Sequence, residues 1–247
     1  MSVEQSLLGQ ETNYPNQYAP EILFPIARAT SRQAYADLVE ISQGMDWWHA
    51  FELSWLDAQS KPHVAIGRLH IPASSPYLIE SKSLKLYFNS LNFKIFADEQ
   101  AFIDCVEQDL SRVANAVVKL ELYDADALNI SQPVGVCLDH LTPNGMSDQP
   151  DCHLLKLASA ATTDNLQTDS SQPVEVSLYS HLLRSNCPVT GQPDWGTVFI
   201  RYEGIKPCYE SLLAYIISFR QHSGFHEQCV EQIFADIWRQ LQPTRLM

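Results

Sequence analysis

The chain has 247 residues, 45% of them apolar and 18% charged, with 14 Pro and 9 Gly; this excludes a fibrous or wholly disordered protein and fits one large domain or two small ones. Sixteen Lys and Arg against 29 Asp and Glu give a net charge of −13, which weighs against a broad basic nucleic-acid face but leaves room for a local phosphate pocket. No apolar run approaches ~18 residues and the opening MSVEQSLLGQETNYPNQ is not a secretory signal, so the expectation is a soluble cytoplasmic protein that makes no direct contact with membrane or nucleic acid.

In chain order, residues 1–45 read as an irregular arm punctuated by Pro15, Pro20 and Pro25, with one short helix near Arg32 to Ile41. The first unit is expected over 46–141. In it, 47–55 and 63–71 form a hairpin across a turn at Asp57 to Pro62. Glu80 to Ser90 is helical, and Phe102, Val106, Leu110 and Val113, spaced by four, four and three, mark a second helix. Strand 117–123 follows, with 134–138 as its hairpin partner. Residues 142–172, rich in Pro, Asp, Ser, Thr and Gln, read as a linker. A second unit over 173–247 repeats the order. Val174, Val176 and Leu178 alternate with Glu175, Ser177 and Tyr179 in a half-buried strand, 197–202 is its partner, 209–219 is a helix, and a last helix runs from Phe225 to Gln242-Pro243.

The halves form a faint internal repeat. Ser83-Leu84-Lys85-Leu86-Tyr87 matches Ser211-Leu212-Leu213-Ala214-Tyr215 at an offset of 128 residues, whereas Cys105-Val106-Glu107-Gln108 is identical to Cys229-Val230-Glu231-Gln232 at an offset of 124. This predicts two strand-strand-helix-helix-strand-strand units. At that second offset, Phe102-Ile103 stands opposite His226-Glu227, and the strand at 117–123 falls on 241–247. The second unit is therefore expected to be incomplete, with an uncovered sheet edge.

The six cysteines are expected to be reduced, because no leader or close pairing supports a disulfide framework. No metal site is predicted: Cys152-His153 has no second pair, and Phe225-His226-Glu227 lacks a second histidine. Ser185-Asn186-Cys187-Pro188 followed by Gln192-Pro193-Asp194-Trp195-Gly196 carries the strongest chemical signal. Here a thiol and a carboxylate seven residues apart flank a turn between two strands. The residues alone allow a nucleophile with a proton donor, or a turn with a buried cysteine and a solvent-facing aspartate. His226 can be a base, a hydrogen-bond donor or a capping residue. Glu80-Ser81-Lys82-Ser83 can be a plain helix start or a polar binding cluster.

Together, Glu80-Ser81-Lys82-Ser83-Leu84-Lys85-Leu86-Tyr87, the Cys187 to Gly196 stretch, Ser218-Phe219-Arg220 and Phe225-His226-Glu227 resemble the NADPH-dependent 7-cyano-7-deazaguanine reductases in their long, two-domain form. The resemblance implies an α+β tandem tunnelling fold (T-fold) and reduction of a nitrile to a primary amine in queuosine tRNA-modification biosynthesis. It implies Cys187 as the nucleophile forming a thioimide, Asp194 as proton donor, and His226 positioning substrate and assisting proton transfer. It further implies Ile79, Glu80, His226 and Glu227 at the 7-deazapurine, Ser81 and Lys82 at NADPH, one composite site between the halves, and a homodimer. The family's C-terminal Arg-Arg-Gly-Gly-like stretch, which contributes to NADPH binding, is absent from these residues. Weak or no activity is therefore expected, the alternative being a truncated, inactive purine- or pterin-binding T-fold protein.

Overall fold

The computed structural model describes residues 14–127, 131–159 and 172–247. In chain order the elements are β1 (Pro25–Ala27), α1 (Arg28–Ser31), β2 (Met45–Leu56), β3 (Pro62–Pro72), β4 (Tyr77–Ile79), α2 (Ser81–Ser90), α3 (Glu99–Ala114), β5 (Lys119–Tyr123), β6 (Val136–Cys137), β7 (Pro173–Asn186), β8 (Pro193–Ile205), α4 (Tyr209–Ser218), α5 (His226–Leu241) and β9 (Arg245–Leu246). The chain divides into two compact units, Met1–Ile130 and Ser131–Met247.

In the first unit the antiparallel sheet has the order β2-β3-β5, with β1 and β4 as a separate pair. Helix α3 starts where Asp98 accepts the Ala101 N–H at 2.8 Å and ends at Asn115, whose φ is 51°. Its four-residue spacing places Phe102, Val106 and Leu110 fully out of solvent against Leu53, Trp55 and Leu69 of the sheet. Each such side chain contributes roughly 1.5–3 kcal/mol of burial. In the second unit the order is β6-β7-β8-β9, and Leu178, Ile200 and Tyr202 pack against Leu212, Tyr215, Phe219, Ile233 and Ile237.

The repeat extends to individual hydrogen bonds. The two hairpins slip register at the same place, between Ala50 and Leu53 and between Ser180 and Leu183. Ser90 Oγ donates to the Tyr87 carbonyl and Ser218 Oγ to the Tyr215 carbonyl, both at 2.6 Å. Tyr87 donates to Asp109 at 2.8 Å and Tyr215 to Asp236 at 2.6 Å. The last pairing corrects the sequence alignment. Asp109 matches Asp236, and Asn115 matches Gln242 (φ 47°), so α3 and α5 superpose at an offset of 127, not 124. The shared Cys-Val-Glu-Gln quartet is out of step by almost one helical turn. Glu99-Gln100, not Phe102-Ile103, stands opposite His226-Glu227.

Three further expectations change. Residues 134–138 do not pair with β5: β6 runs parallel to β7, matching Val136 with Leu178 and Cys137 with Tyr179. The fully buried Leu138 anchors it there. The helix expected near Arg32 to Ile41 is two 3-10 turns, Arg32–Tyr35 and Val39–Ser42, without side-chain N-caps and separated by extended Leu38. Much of the expected arm and linker is integral to the units. Phe24 gives its carbonyl to the Glu80 N–H and its N–H to Ser83 Oγ. Lys156 likewise gives its carbonyl to the Cys208 N–H and its N–H to Ser211 Oγ. Residues 160–171 of that expected linker lie outside the described residues. At the far end, β9 lies antiparallel on β8, with Leu246 opposite Tyr202 and Arg245 opposite Glu203.

Candidate active site

In the second unit, β7 and β8 meet at a turn over 187–192. The Cys187 N–H donates to the Gln192 carbonyl at 2.8 Å, and the Cys187 carbonyl accepts the Gly191 N–H at 3.0 Å. Gly191 has φ +68°, and a Cβ added to it would meet no atom within 4 Å, so the turn requires its backbone conformation and not its small size. Thr190 Oγ1 accepts the Gln192 N–H at 3.3 Å. The Cys187 thiol is half-buried and carries no disulfide.

The end of β7 is fastened to the segment that launches α5. The Asn186 N–H and Nδ2 both donate to the His222 carbonyl, at 2.8 and 3.2 Å, and the Gly224 N–H donates to the Asn186 carbonyl at 3.1 Å. Gln228 Oε1 accepts the Phe225 N–H at 3.2 Å, steadying the first turn of α5. These contacts bring His226, the first residue of α5, to Asp194 on β8, with Nε2 to Oδ2 at 3.7 Å. That is within ion-pair range and too long for a direct hydrogen bond.

The repeat tests whether positions 187 and 194 reach one another. Leu56 faces Pro62 at the end of the first hairpin, and Asn186 faces Pro193 at the end of the second. Asp57 and His63 are therefore the counterparts of Cys187 and Asp194. In the first unit His63 Nε2 lies 3.0 Å from Asp57 Oδ2, and this contact holds the Asp57 carboxyl below its ordinary value. The side chains at these positions touch in the first unit, whereas Cys187 and Asp194 make no hydrogen bond with each other across the second turn, which is one residue longer.

Other groups here have shifted affinities for protons. Cys229 is 2% exposed, and burial, followed by the charges of Glu227 and Asp194, pushes its thiol up. Burial also raises the Cys152 thiol, which disfavours its thiolate form. Burial lowers His222, favouring its neutral form. His222 was not among the sequence candidates. Its fastening role is performed by a backbone carbonyl, which no sequence pattern announces.

In the first unit Ile79 ends β4 and Glu80 caps α2. The Glu80 carboxylate is 1% exposed; it accepts the Lys82 N–H at 2.7 Å and the Ser83 N–H at 2.8 Å. Ser81 Oγ also donates to Glu80 Oε1 at 3.5 Å, so the carboxylate is engaged by the first turn of its own helix. Ser81 and Lys82 line a cavity of about 1510 Å³ together with Lys85, Trp48, His49 and Phe51. Its size and its lysines suit a dinucleotide phosphate ester, so these residues fit the cofactor that the sequence implied. Among the described residues the one cluster with metal-ligand potential is Asp151, Cys152 and His153, at the start of the 3-10 turn Cys152–Leu154 that Asp151 caps, away from these groups in sequence.

Comparison with known proteins places the chain in a family. Residues 14–122 match the family described as nitrile reductase, 7-cyano-7-deazaguanine-reductase N-terminal, and residues 193–247 match the family described as QueF-like protein. The chain is 65% identical over 247 residues to the NADPH-dependent 7-cyano-7-deazaguanine reductase of Acinetobacter baylyi, covering 100% of this chain and 88% of that protein. It is 64% identical to a counterpart of the same name from Acinetobacter baumannii with the same coverage, and 46% identical over 258 residues to that of Psychrobacter cryohalolentis.

Proposed function

The chain belongs to the 7-cyano-7-deazaguanine reductase family, and from that premise we propose which of its residues carry the reaction. It is an NADPH-dependent nitrile reductase of queuosine biosynthesis, turning the nitrile of 7-cyano-7-deazaguanine into an aminomethyl group. When bound, NADPH supplies the two hydrides that this four-electron reduction consumes.

Cys187 is the nucleophile. Its sulfur adds to the nitrile carbon, the thiol proton is given up, and the nitrile nitrogen gains a proton, leaving a covalent thioimide. Asp194 handles that proton, and the observation that carries the assignment is its place on β8, directly after the Cys187 turn and 3.7 Å from His226. His226, 3.7 Å from Asp194, orients the substrate and shares in proton transfer. After the first reduction the Cys187 sulfur leaves, releasing an imine for the second. His226 and Glu227 contact the deazapurine, whose guanine-like edge presents N–H donors that suit a carboxylate acceptor, and Ile79 and Glu80 are assigned to a deazapurine on the family resemblance alone. Ser81 and Lys82 hold the cofactor from the cavity that they line.

The α+β units, each with strand-strand-helix-helix-strand order, are read as tandem tunnelling-fold units working in a homodimer, and the enzyme is read as cytoplasmic. No helix among the described residues is long and apolar enough to cross a membrane. Intact-protein mass spectrometry tests the core of this reading. Incubation with the nitrile in the absence of NADPH is expected to add one substrate mass to the protein. Cys187→Ala is expected to abolish the adduct and leave the melting temperature unchanged; an adduct surviving in Cys187→Ala refutes the assignment.

A further inference from the structure

Beside the Cys187 turn, two arginines converge on one exposed indole. Arg184 precedes Cys187 by three residues and faces Trp195 directly across the hairpin. Its guanidinium carbon lies 5.8 Å from the Trp195 ring centre, and that of Arg220, in the 3-10 turn after α4, lies 5.5 Å from the same ring. Trp195 is 59% exposed. Arg184 is pre-oriented: it donates through Nη1 to the Arg220 carbonyl and through Nη2 to Asn186 Oδ1.

Among the described residues neither guanidinium pairs with a carboxylate. Two cations against one ring repel each other, and an anion between them would relieve that cost. Guanidinium pairs match the geometry of phosphate oxygens. The chain also has no glycine-rich dinucleotide fingerprint, so side chains must do the work that helix-terminal N–H groups perform in other dinucleotide sites. Side chains alternate along β8, so Trp195 and Arg184 face away from Asp194. A phosphate held there leaves the Asp194 face to the reacting carbon.

We infer that Arg184, Arg220 and Trp195 form a phosphate-binding site that takes a phosphate group of the NADPH cofactor. This inference rests on the reductase reading above.

The probe is 2′-phospho-ADP-ribose, which carries the cofactor's phosphates without the nicotinamide. It is titrated calorimetrically into the full chain and into Arg220→Gln and Arg220→Lys. Adduct formation with the nitrile is measured on each protein in parallel. Arg220→Gln is expected to bind about tenfold more weakly, equivalent to about 1.4 kcal/mol. Arg220→Lys keeps the charge but loses the planar fork, so it is expected to bind between the parent and Arg220→Gln, and all three proteins are expected to form the Cys187 adduct to the same extent. Binding by Arg220→Gln within about twofold of the parent overturns the site, as does a parent that does not bind the probe. Absence of the adduct in the parent, with the Arg220 dependence intact, refutes the reductase chemistry and leaves the phosphate site standing.

Discussion

The buried Tyr215–Asp236 pair gives a pH-dependent test of how the second unit is held together. Tyr215 is fully buried and donates to Asp236 Oδ2 at 2.6 Å. Burial raises the Asp236 carboxyl above its ordinary value, while the hydrogen bonds from Tyr215 and Gln232 pull it back. Tyr215→Phe deletes a donor to a charged acceptor, worth about 1.5–3 kcal/mol. A loss of about 2 kcal/mol is expected near neutral pH, or about 4–8 °C in melting temperature for a chain of this size. The sign of the pH dependence follows from the direction of the shift. A carboxyl raised in the folded state binds more protons there than in the unfolded chain, so its cost is greatest at neutral pH. That cost fades as the pH falls through the folded value. Removing the phenol raises Asp236 further, so the gap between variant and parent should narrow from about pH 7.5 toward about pH 5. The control is Tyr87→Phe, where Asp109 keeps the Tyr18 hydroxyl at 2.5 Å and Arg112 at 3.2 Å; its loss should be smaller. Thermal melts at both pH values decide the matter. A Tyr215→Phe protein as stable as the parent at neutral pH, or a gap that widens on acidification, refutes the reasoning.

Asp194→Asn keeps the shape of the side chain and removes the proposed proton donor, so adduct formation in rapid-mixing experiments should slow by about 10²–10⁴; an unchanged rate would assign the proton elsewhere. Gly191→Ala should cost about 1 kcal/mol in denaturant titration, from its positive φ alone, because no neighbour crowds the position and Ser60 holds the same conformation (φ 61°) in the first hairpin. Arg28, 1% exposed, donates to Ser75 Oγ and is paired with Asp46. Arg28→Ala strands a partly buried anion and should cost about 3–5 kcal/mol by the same titration, with an unchanged midpoint as the contrary result.

The main helices and hairpins were legible because their apolar periods are clean. Phe102, Val106 and Leu110 mark one face of α3, and Val174, Val176 and Leu178 mark one face of β7. Strand partners were not. β6 has the alternation of a strand, but its choice of β7 depends on where Leu138 finds a core, and periodicity is silent about that. The repeat was visible and its register was not: an identical quartet outweighed one matching aspartate in each helix, Asp109 and Asp236, although these bond to matching tyrosines. At the site, the Cys187 turn and Asp194 could be found because Pro and Gly punctuate a connection between strands. The Arg184, Arg220 and Trp195 cluster could not, since it is made by cross-strand register and by a turn some 25 residues away in sequence.

The duplicated hairpin also explains why chemistry can reside at one tip and not the other. In the first unit Asp57 is occupied in building its turn. Oδ1 accepts the N–H groups of Gln59 and Lys61, both at 2.9 Å, and Oδ2 meets His63. In the second unit that work is redistributed. Thr190 Oγ1 accepts the Gln192 N–H, Gly191 takes the left-handed position, and the backbone of residue 187 supplies the closing bonds that Asp57 also supplies. The side chain at 187 is therefore not needed to hold the turn. A thiol can stand there without unravelling the hairpin, opposite a carboxylate at the position where the first unit has a histidine. The scaffold bonds common to both units, Ser83 with Ser211 and Ser90 with Ser218, lie at α2 and α4, so the tip could change its chemistry while the core that supports it stayed the same.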